Sequence, residues 1–306
     1  MKTVFLIIAL AIPAFVHAND PIGWDYLAGK LVEDGVDRHR VVAVFGDPRL
    51  EVFTGLEYGP ERPWESKALY RQFARPAAAT TGRRCLQRHL SAFAAAADRF
   101  QVPREVLAAI FVVETGCGAN TGRSPVFYRL ARLAMANAPE NFARNHERFA
   151  DGDGRVDPET TAKLRERGRR IEDMFYPEVR ALFEMWTRLG IDPLDLRGSG
   201  SGAFGWPQFL PSSYLKYGID GNGDGHVSLY NPADAAASCA NYLAGHGWTP
   251  RASDSQKRTV IWAYNHSEAY IDAVLGLATR IAQPEPVRKK PVKKAGKKAV
   301  KKKGKK

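Results

Sequence analysis

The sequence predicts a mainly helical fold of the α+β kind, and two observations carry that expectation. Apolar residues recur at helical spacing through Thr81–Phe100, Pro125–Asn137, Thr160–Leu189, Ala235–Gly245 and Thr259–Ala278, whereas strand-like pieces are confined to Val41–Phe45 and Leu50–Phe53. Between them, Val106–Val113 is an unbroken run of eight apolar residues, and a helix that is apolar all round belongs in a core. With 44% hydrophobic residues in a 306-residue chain, there is enough apolar material for one large domain or two small ones.

The two ends read differently from the middle. Met1–Ala18 has the form of a secretory signal peptide: Lys2, the apolar run Val4–Ala11, then Val16-His17-Ala18 at the cleavage positions. That run is too short to span a bilayer, and no cysteine follows it to carry a lipoprotein anchor. The mature protein is therefore expected to be soluble and exported. From Glu285 to Lys306 the chain holds twelve Lys or Arg and one Glu, so this segment carries +11 of the formal net charge of +12. It contains proline, glycine and no aromatic residue, so residues 284–306 are expected to be a disordered Lys-rich tail with affinity for anionic envelope surfaces. The remainder is close to neutral, which argues against a nucleic-acid partner for the folded body.

In chain order, a helix is expected around Tyr26–Gly35, then the two strand-like pieces, then helical stretches at Leu69–Phe73 and Thr81–Phe100. Leu86, Leu90, Phe93, Ala94 and Ala97 place one face of the second in the core. Pro103 suits the start of the helix that follows, and Gly116 and Gly118 suit its end. Glu114 is the first ionisable residue to emerge from it. The negative end of the helix dipole and desolvation both favour the neutral acid there, which is the form a general acid requires.

Cys85, Cys117 and Cys239 make an odd count for an oxidising compartment. Cys239 fits a core position, and Cys85 and Cys117 are placed to be bridged. The alternative is Cys117 as a nucleophile, although no histidine lies close by in sequence to activate it.

Asp151-Gly-Asp-Gly-Arg155-Val-Asp157 has the look of a calcium loop, but Phe149 and Arg155 occupy ligand positions, so a polar turn within Asn145–Pro158 is expected. Thr160–Leu189 is a long charged helix whose apolar face carries Ile171, Phe175, Val179, Leu182, Phe183 and Trp186. Gly198–Ser213 brings glycines together with Ser199, Trp206, Gln208 and Phe209, a mixture suited to holding a sugar against aromatic faces and amide or hydroxyl groups. Directly afterwards, Asp220-Gly-Asn222-Gly-Asp224-Gly225-His226-Val227 fits the first eight positions of an EF-hand-like calcium loop, with His226 contributing its backbone carbonyl. Asn231 stands where a glutamate is expected at position twelve, and Asp234 is the available closing carboxylate. Tyr264-Asn265-His266-Ser267 interrupts the last helical stretch with polar groups and suggests a site.

Taken together these segments resemble the MltB-type lytic murein transglycosylases of the lysozyme-like superfamily. The matching residues are Tyr70-Arg-Gln-Phe73, Val102-Pro103-Arg-Glu105, Val113-Glu114-Thr115-x-x-Gly118, Gly202-Ala-Phe-Gly205-x-x-Gln208-Phe209-x-Pro211-Ser-Ser-Tyr214, Asp220–His226, Asn231-Pro232-x-Asp234-Ala235, Ala240-Asn241-Tyr242, His246-Gly247-Trp248 and Tyr264-Asn265. The resemblance implies a lysozyme-like helical catalytic domain over residues 19–283 with a small irregular or β-containing part, a periplasmic location and glycan strands of peptidoglycan as substrate. It makes Glu114 a single catalytic acid/base. It places Ser199, Gln208, Tyr242 and Asn265 in the sugar groove, together with Tyr70, Phe209, Tyr264 and Tyr270. Asp220, Asn222, Asp224, His226 and Asp234 become the ligands of a structural Ca²⁺. The product implied is a 1,6-anhydromuramoyl sugar. A hydrolytic muramidase and a non-catalytic peptidoglycan-binding protein are the alternatives. Asn137–Trp186 reads as a charged insertion, and Thr115-Gly116-Cys117-Gly118 departs from the family's usual Thr-Arg-aromatic-Gly turn.

Overall fold

A computed structural model describes residues 23–61 and 67–284. The segment read as a signal peptide and the basic run from Glu285 onward lie outside the described residues. In chain order the elements are α1 (Asp25–Glu33), α2 (Arg38–Phe45), a 3-10 helix (Lys67–Ala74), α3 (Pro76–Arg88), α4 (Leu90–Phe100), α5 (Arg104–Thr115), β1 (Ser124–Pro125), α6 (Val126–Ala134), α7 (Pro139–Glu147), α8 (Pro158–Leu189), β2 (Arg197–Gly198), α9 (Pro211–Tyr217), α10 (Pro232–Gly245), α11 (Asp254–Tyr264) and α12 (Glu268–Ala282). The fold is mainly helical, as expected. Its small β part is one antiparallel pair with Ser124 opposite Gly198 and Pro125 opposite Arg197.

The centre is α5. Val106 through Val112 are all buried, and α3, α4, α10 and α12 pack around them. Burying the larger of these side chains, Val106, Leu107, Ile110, Phe111 and Val112, stabilises by about 1.5–3 kcal/mol each before entropy is counted. The helix stops because Gly116 adopts a left-handed conformation (φ 60°), with its N–H on Val112 O and the Cys117 N–H on Phe111 O. This is the capping geometry that glycine favours. Glu114 is thereby delivered to the last turn, at the edge of the core.

Several local expectations are corrected by tertiary context. Val41–Phe45 is the second half of α2 and not a strand: Asp37 caps the helix by accepting the Arg40 N–H, and Val41 and Val44 are its buried residues. Its β-branched composition favours a strand, whereas the helical spacing of its buried residues decides. Leu50–Phe53 pairs with no strand among the described residues. A few residues on, the backbone is satisfied by side chains instead, the Leu56 N–H by Asn141 and the Tyr58 N–H by Asn145, both asparagines being buried. Those asparagines lie on α7, a helix that runs up to the start of the polar stretch 145–158 and that no apolar periodicity announced. Hence the charged segment 137–186 is an integral layer: α7 and α8 pack together, and Leu164 and Ile171 join Tyr58 and Ala136 in a small second core. The expected helix 81–100 is two helices, α3 and α4, broken at His89 (φ −122°, ψ 37°). Thr259–Ala278 divides at Asn265–Ser267 into α11 and α12, with Ser267 capping the second by accepting the Tyr270 N–H.

Candidate active site

Glu114 is half-buried in a cleft of about 520 Å³ whose walls include Gln72 and Phe73 of the 3-10 helix, Arg75, Ala78 and Thr81 at the head of α3, and Asn120. Its carboxyl is pushed from the ordinary 4.5 up to about 7. Burial is the larger cause, and the hydrogen bond from Tyr270 opposes it because it favours the carboxylate. Neither cause is a neighbouring charge.

The Tyr270 hydroxyl donates to Glu114 Oε1 at 2.5 Å from a ring only 1% exposed. That ring stacks on Tyr264 (centroids 6.3 Å, planes 10° apart) and meets Tyr70 edge-on (6.0 Å, 87°). The chain of rings continues through Tyr242, 5.0 Å from Tyr264, to Phe209, 5.4 Å from Tyr242. The outer hydroxyls are anchored on backbone, that of Tyr264 on Pro207 O and that of Tyr242 on Ala263 O. Burial raises the Tyr264 and Tyr270 hydroxyls well above the ordinary phenol range, so both remain donors. The buried thiol of Cys239 lies under the same cluster and is raised by burial too.

Five of the expected residues are therefore joined to Glu114 in one ring system: Tyr70, Phe209, Tyr242, Tyr264 and Tyr270. Phe209 is 3% exposed and sandwiched, so it supports the groove instead of offering an open face. Trp206 is buried against Phe111 and over Gly118, where a Cβ has no room, and its place is structural. Gln208 takes a left-handed conformation (φ 51°), uncommon outside glycine. Its Nε2 donates to Gly205 O (2.8 Å) and to Thr121 O, tying the glycine-rich loop to the segment that follows Glu114. Ser199 reaches the same segment: Gly122 (φ 87°) lies so close to the backbone of Gly198 and Ser199 that no Cβ fits. Asn265 follows Tyr264 at the C-terminal end of α11.

Residues 23–257 match the family model described as "Transglycosylase SLT domain". The chain belongs to this family. Within the SLT transglycosylase family, 149 residues are 34% identical to membrane-bound lytic murein transglycosylase B of Escherichia coli K12, over 49% of this chain and about a third of that relative's length. Soluble lytic transglycosylase SltB1 from Pseudomonas aeruginosa superposes with a TM-score of 0.63 at 23% identity, over 85% of this chain and 98% of that one. The Escherichia coli lytic transglycosylase Slt35, solved in complex with calcium, gives 0.61 at 22% identity, over 86% and 93%. At that identity the two structures establish a shared fold.

Against this SLT frame, Gln72, Arg75, Thr81 and Asn120 are cleft residues that the sequence reading did not single out. Gln72 stands inside the Tyr70–Phe73 motif, and the others carried no local signal. The disulfide Cys85–Cys117 is present, and Cys239 is free and buried.

The glycine-rich acidic loop 220–227 is folded with Gly223 and Gly225 left-handed. Its carboxylates turn inward onto its own backbone: Asp220 accepts the Gly223 and Gly225 N–H groups, and Asp224 accepts that of His226. Asp234, 1% exposed, takes the Gly221 and Ser228 N–H groups on its two oxygens. The donor set, all oxygen from Asp220, Asn222 and Asp224, suits a hard cation. Among the described residues no three His, Cys, Asp or Glu side chains gather as a metal-holding group. No helix among them is long and apolar enough to cross a membrane.

Proposed function

We propose that this protein is a lytic transglycosylase that cleaves the β-1,4 bond between N-acetylmuramic acid and N-acetylglucosamine in peptidoglycan. The observation that carries the reading is Glu114, a cleft carboxyl whose pKa is raised to about 7 by burial and which is held by Tyr270.

A carboxyl titrating there is neutral in a large share of molecules at neutral pH and strong enough to protonate a glycosidic oxygen. With Oε1 taken by the Tyr270 hydroxyl, the proton is carried on Oε2. As the C1–O4 bond breaks, that proton goes to O4 of the departing N-acetylglucosamine. The N-acetyl group of the muramic acid steadies the positive charge at C1, as in substrate-assisted hydrolases. Glu114, now a carboxylate stabilised by Tyr270, takes the proton of the C6 hydroxyl as that oxygen attacks C1. The sugar closes as a 1,6-anhydro ring, no water is consumed, and the acid is restored. Phe73, Arg75 and Asn120 line the cleft with Glu114 and would flank the reacting bond, and Gln208, Ser199 and Asn265 would supply polar groups to the strand on either side. SltB3 from Pseudomonas aeruginosa, a structural neighbour (TM-score 0.59, 18% identity), was solved in complex with NAG-anhNAM-pentapeptide, a ligand of the product class proposed here.

Calcium is proposed as a structural ion of the loop 220–227. Asp220, Asn222, Asp224 and the His226 carbonyl would hold it, and Asp234 braces the loop from below. The ion would supply rigidity to the segment that leads through Leu229 O to the Trp206 N–H. The place of action is the periplasm, reached through the segment Met1–Ala18.

Mass analysis of digested peptidoglycan tests the reaction. The expected disaccharide–peptide is lighter by one water than the hydrolytic product. Reducing-end muramic acid as the sole product assigns a muramidase instead, and intact peptidoglycan assigns a binding protein.

A further inference from the structure

We infer that the Cys85–Cys117 disulfide is a positioning device for Glu114, fastening the turn that ends α5 to the opposite wall of the cleft. The inference rests on Glu114 being the working acid.

Cys117 stands three residues after Glu114 in a left-handed conformation (φ 66°), directly after left-handed Gly116. Glycine takes such backbone at no cost, whereas a residue with a Cβ is held there only by its surroundings. The Cys117 N–H makes the long bond to Phe111 O that closes the helix. Its covalent partner, Cys85, is 4% exposed on α3, one turn beyond Thr81. Thr81 and Ala78 of the same helix face Glu114 across the cleft. One bond thus joins both walls, with the acid between. The other fastenings of the turn, Thr115 Oγ1 to the Gly118 N–H and to Trp206 O, hold it to the glycine-rich loop and not to α3.

Opening the bond takes two electrons and two protons from a dithiol reductant, which becomes a cyclic disulfide while Cys85 and Cys117 become thiols. Relaxation of Cys117 toward ordinary backbone is then opposed only by the turn's own hydrogen bonds, and the covalent tie between the turn and α3 is gone. Glu114, half-buried in the oxidised protein, becomes more exposed to water, and burial is the larger influence on its raised titration. The groups facing it from elsewhere are unchanged by reduction: Tyr270 of α12, Tyr264 of α11, Cys239 of α10 and Arg75 at the head of α3. On α5 itself, Glu105 is at the far end, and α4 offers Phe93, which is apolar.

The test uses full-length protein in three forms: oxidised, treated with dithiothreitol, and the double variant C85S/C117S. Thiol titration in denaturant, after the dithiothreitol is removed, confirms reduction when the count rises from one to three, whereas the double variant keeps the single thiol of Cys239. Glu114 is titrated by infrared difference spectroscopy against Glu114→Gln, with kcat, KM and Tm measured in parallel. In both opened forms the midpoint is expected to fall by about one pKa unit or more, and kcat by about tenfold with KM within about twofold. An unchanged midpoint and kcat, with or without a lower Tm, overturns the inference and leaves the bond a staple of stability. Failure of the oxidised protein to cleave peptidoglycan counts against the proposed activity instead, because the infrared titration still reads the position of the acid.

Discussion

The Tyr270 hydroxyl reaches Glu114 Oε1 at 2.5 Å across a separation of 156 residues, joining α12 to the last turn of α5. The two residues share one proton economy. Burial holds the carboxyl up near 7, and the tyrosine holds it down from going higher.

Replacing Tyr270 with Phe removes the opposing influence. The alkaline limb of the pH–rate profile, where neutral Glu114 is lost, is expected to move to higher pH while kcat falls about tenfold through loss of orientation. A kcat/KM profile from pH 4 to 9 checks this, and a limb that moves to lower pH refutes the assigned hydrogen bond.

Glu114→Gln is expected to abolish cleavage, by about 10³-fold or more, while insoluble peptidoglycan still retains the protein. The same variant carries a stability signature. Glu114 titrates higher folded than unfolded, so its neutral form contributes stability fully below about 4.5, and that contribution is lost as pH rises through about 7. Glutamine stays neutral throughout. The variant is expected to be more stable than wild type at pH 8, on the order of 2–3 kcal/mol, with the advantage vanishing toward pH 4. Denaturant melts at the two pH values measure it.

Asp234→Ala strands the Gly221, Asn222 and Ser228 N–H groups at a site 1% exposed. A loss of about 3 kcal/mol or more is expected with or without calcium. Asp220→Ala loses the bonds to the Gly223 and Gly225 N–H groups in either condition and is expected to cost more when calcium is supplied than in EDTA, so thermal melts of both variants in calcium and in EDTA separate the two roles.

Chelation of calcium-loaded protein is expected to lower Tm by several degrees while turnover of the protein that stays folded changes by less than about twofold. An unchanged Tm, with calcium content verified before and after, removes the structural ion.

The helices with regular apolar spacing were legible in the sequence because a buried face must repeat with the helical period, and α5 was legible because its burial leaves no polar side. Glu114 followed from where that run ends. Less was visible wherever one segment is satisfied by another far away. Asn141 and Asn145 look like ordinary polar residues of a turn, and only their bonds to Leu56 and Tyr58 explain their burial. Val41–Phe45 has strand-like composition, but Leu31, Val41 and Val44 find the same core as helical neighbours. Trp206 reads as a sugar platform by composition, and its burial against Phe111 and Gly118 decides otherwise.

By itself the sequence determined the fold class, the central apolar helix, the position of Glu114 at its end and the glycine-rich acidic turn at 220–227, because each is written in a contiguous stretch whose period or residue types admit few structures. The tertiary structure alone decided that Tyr270 touches Glu114, that Phe209 lies beneath the groove and that Arg75 and Asn120 line it. Those relationships join positions separated along the chain by tens of residues or more, and no local spacing encodes which side chains a packed core brings face to face.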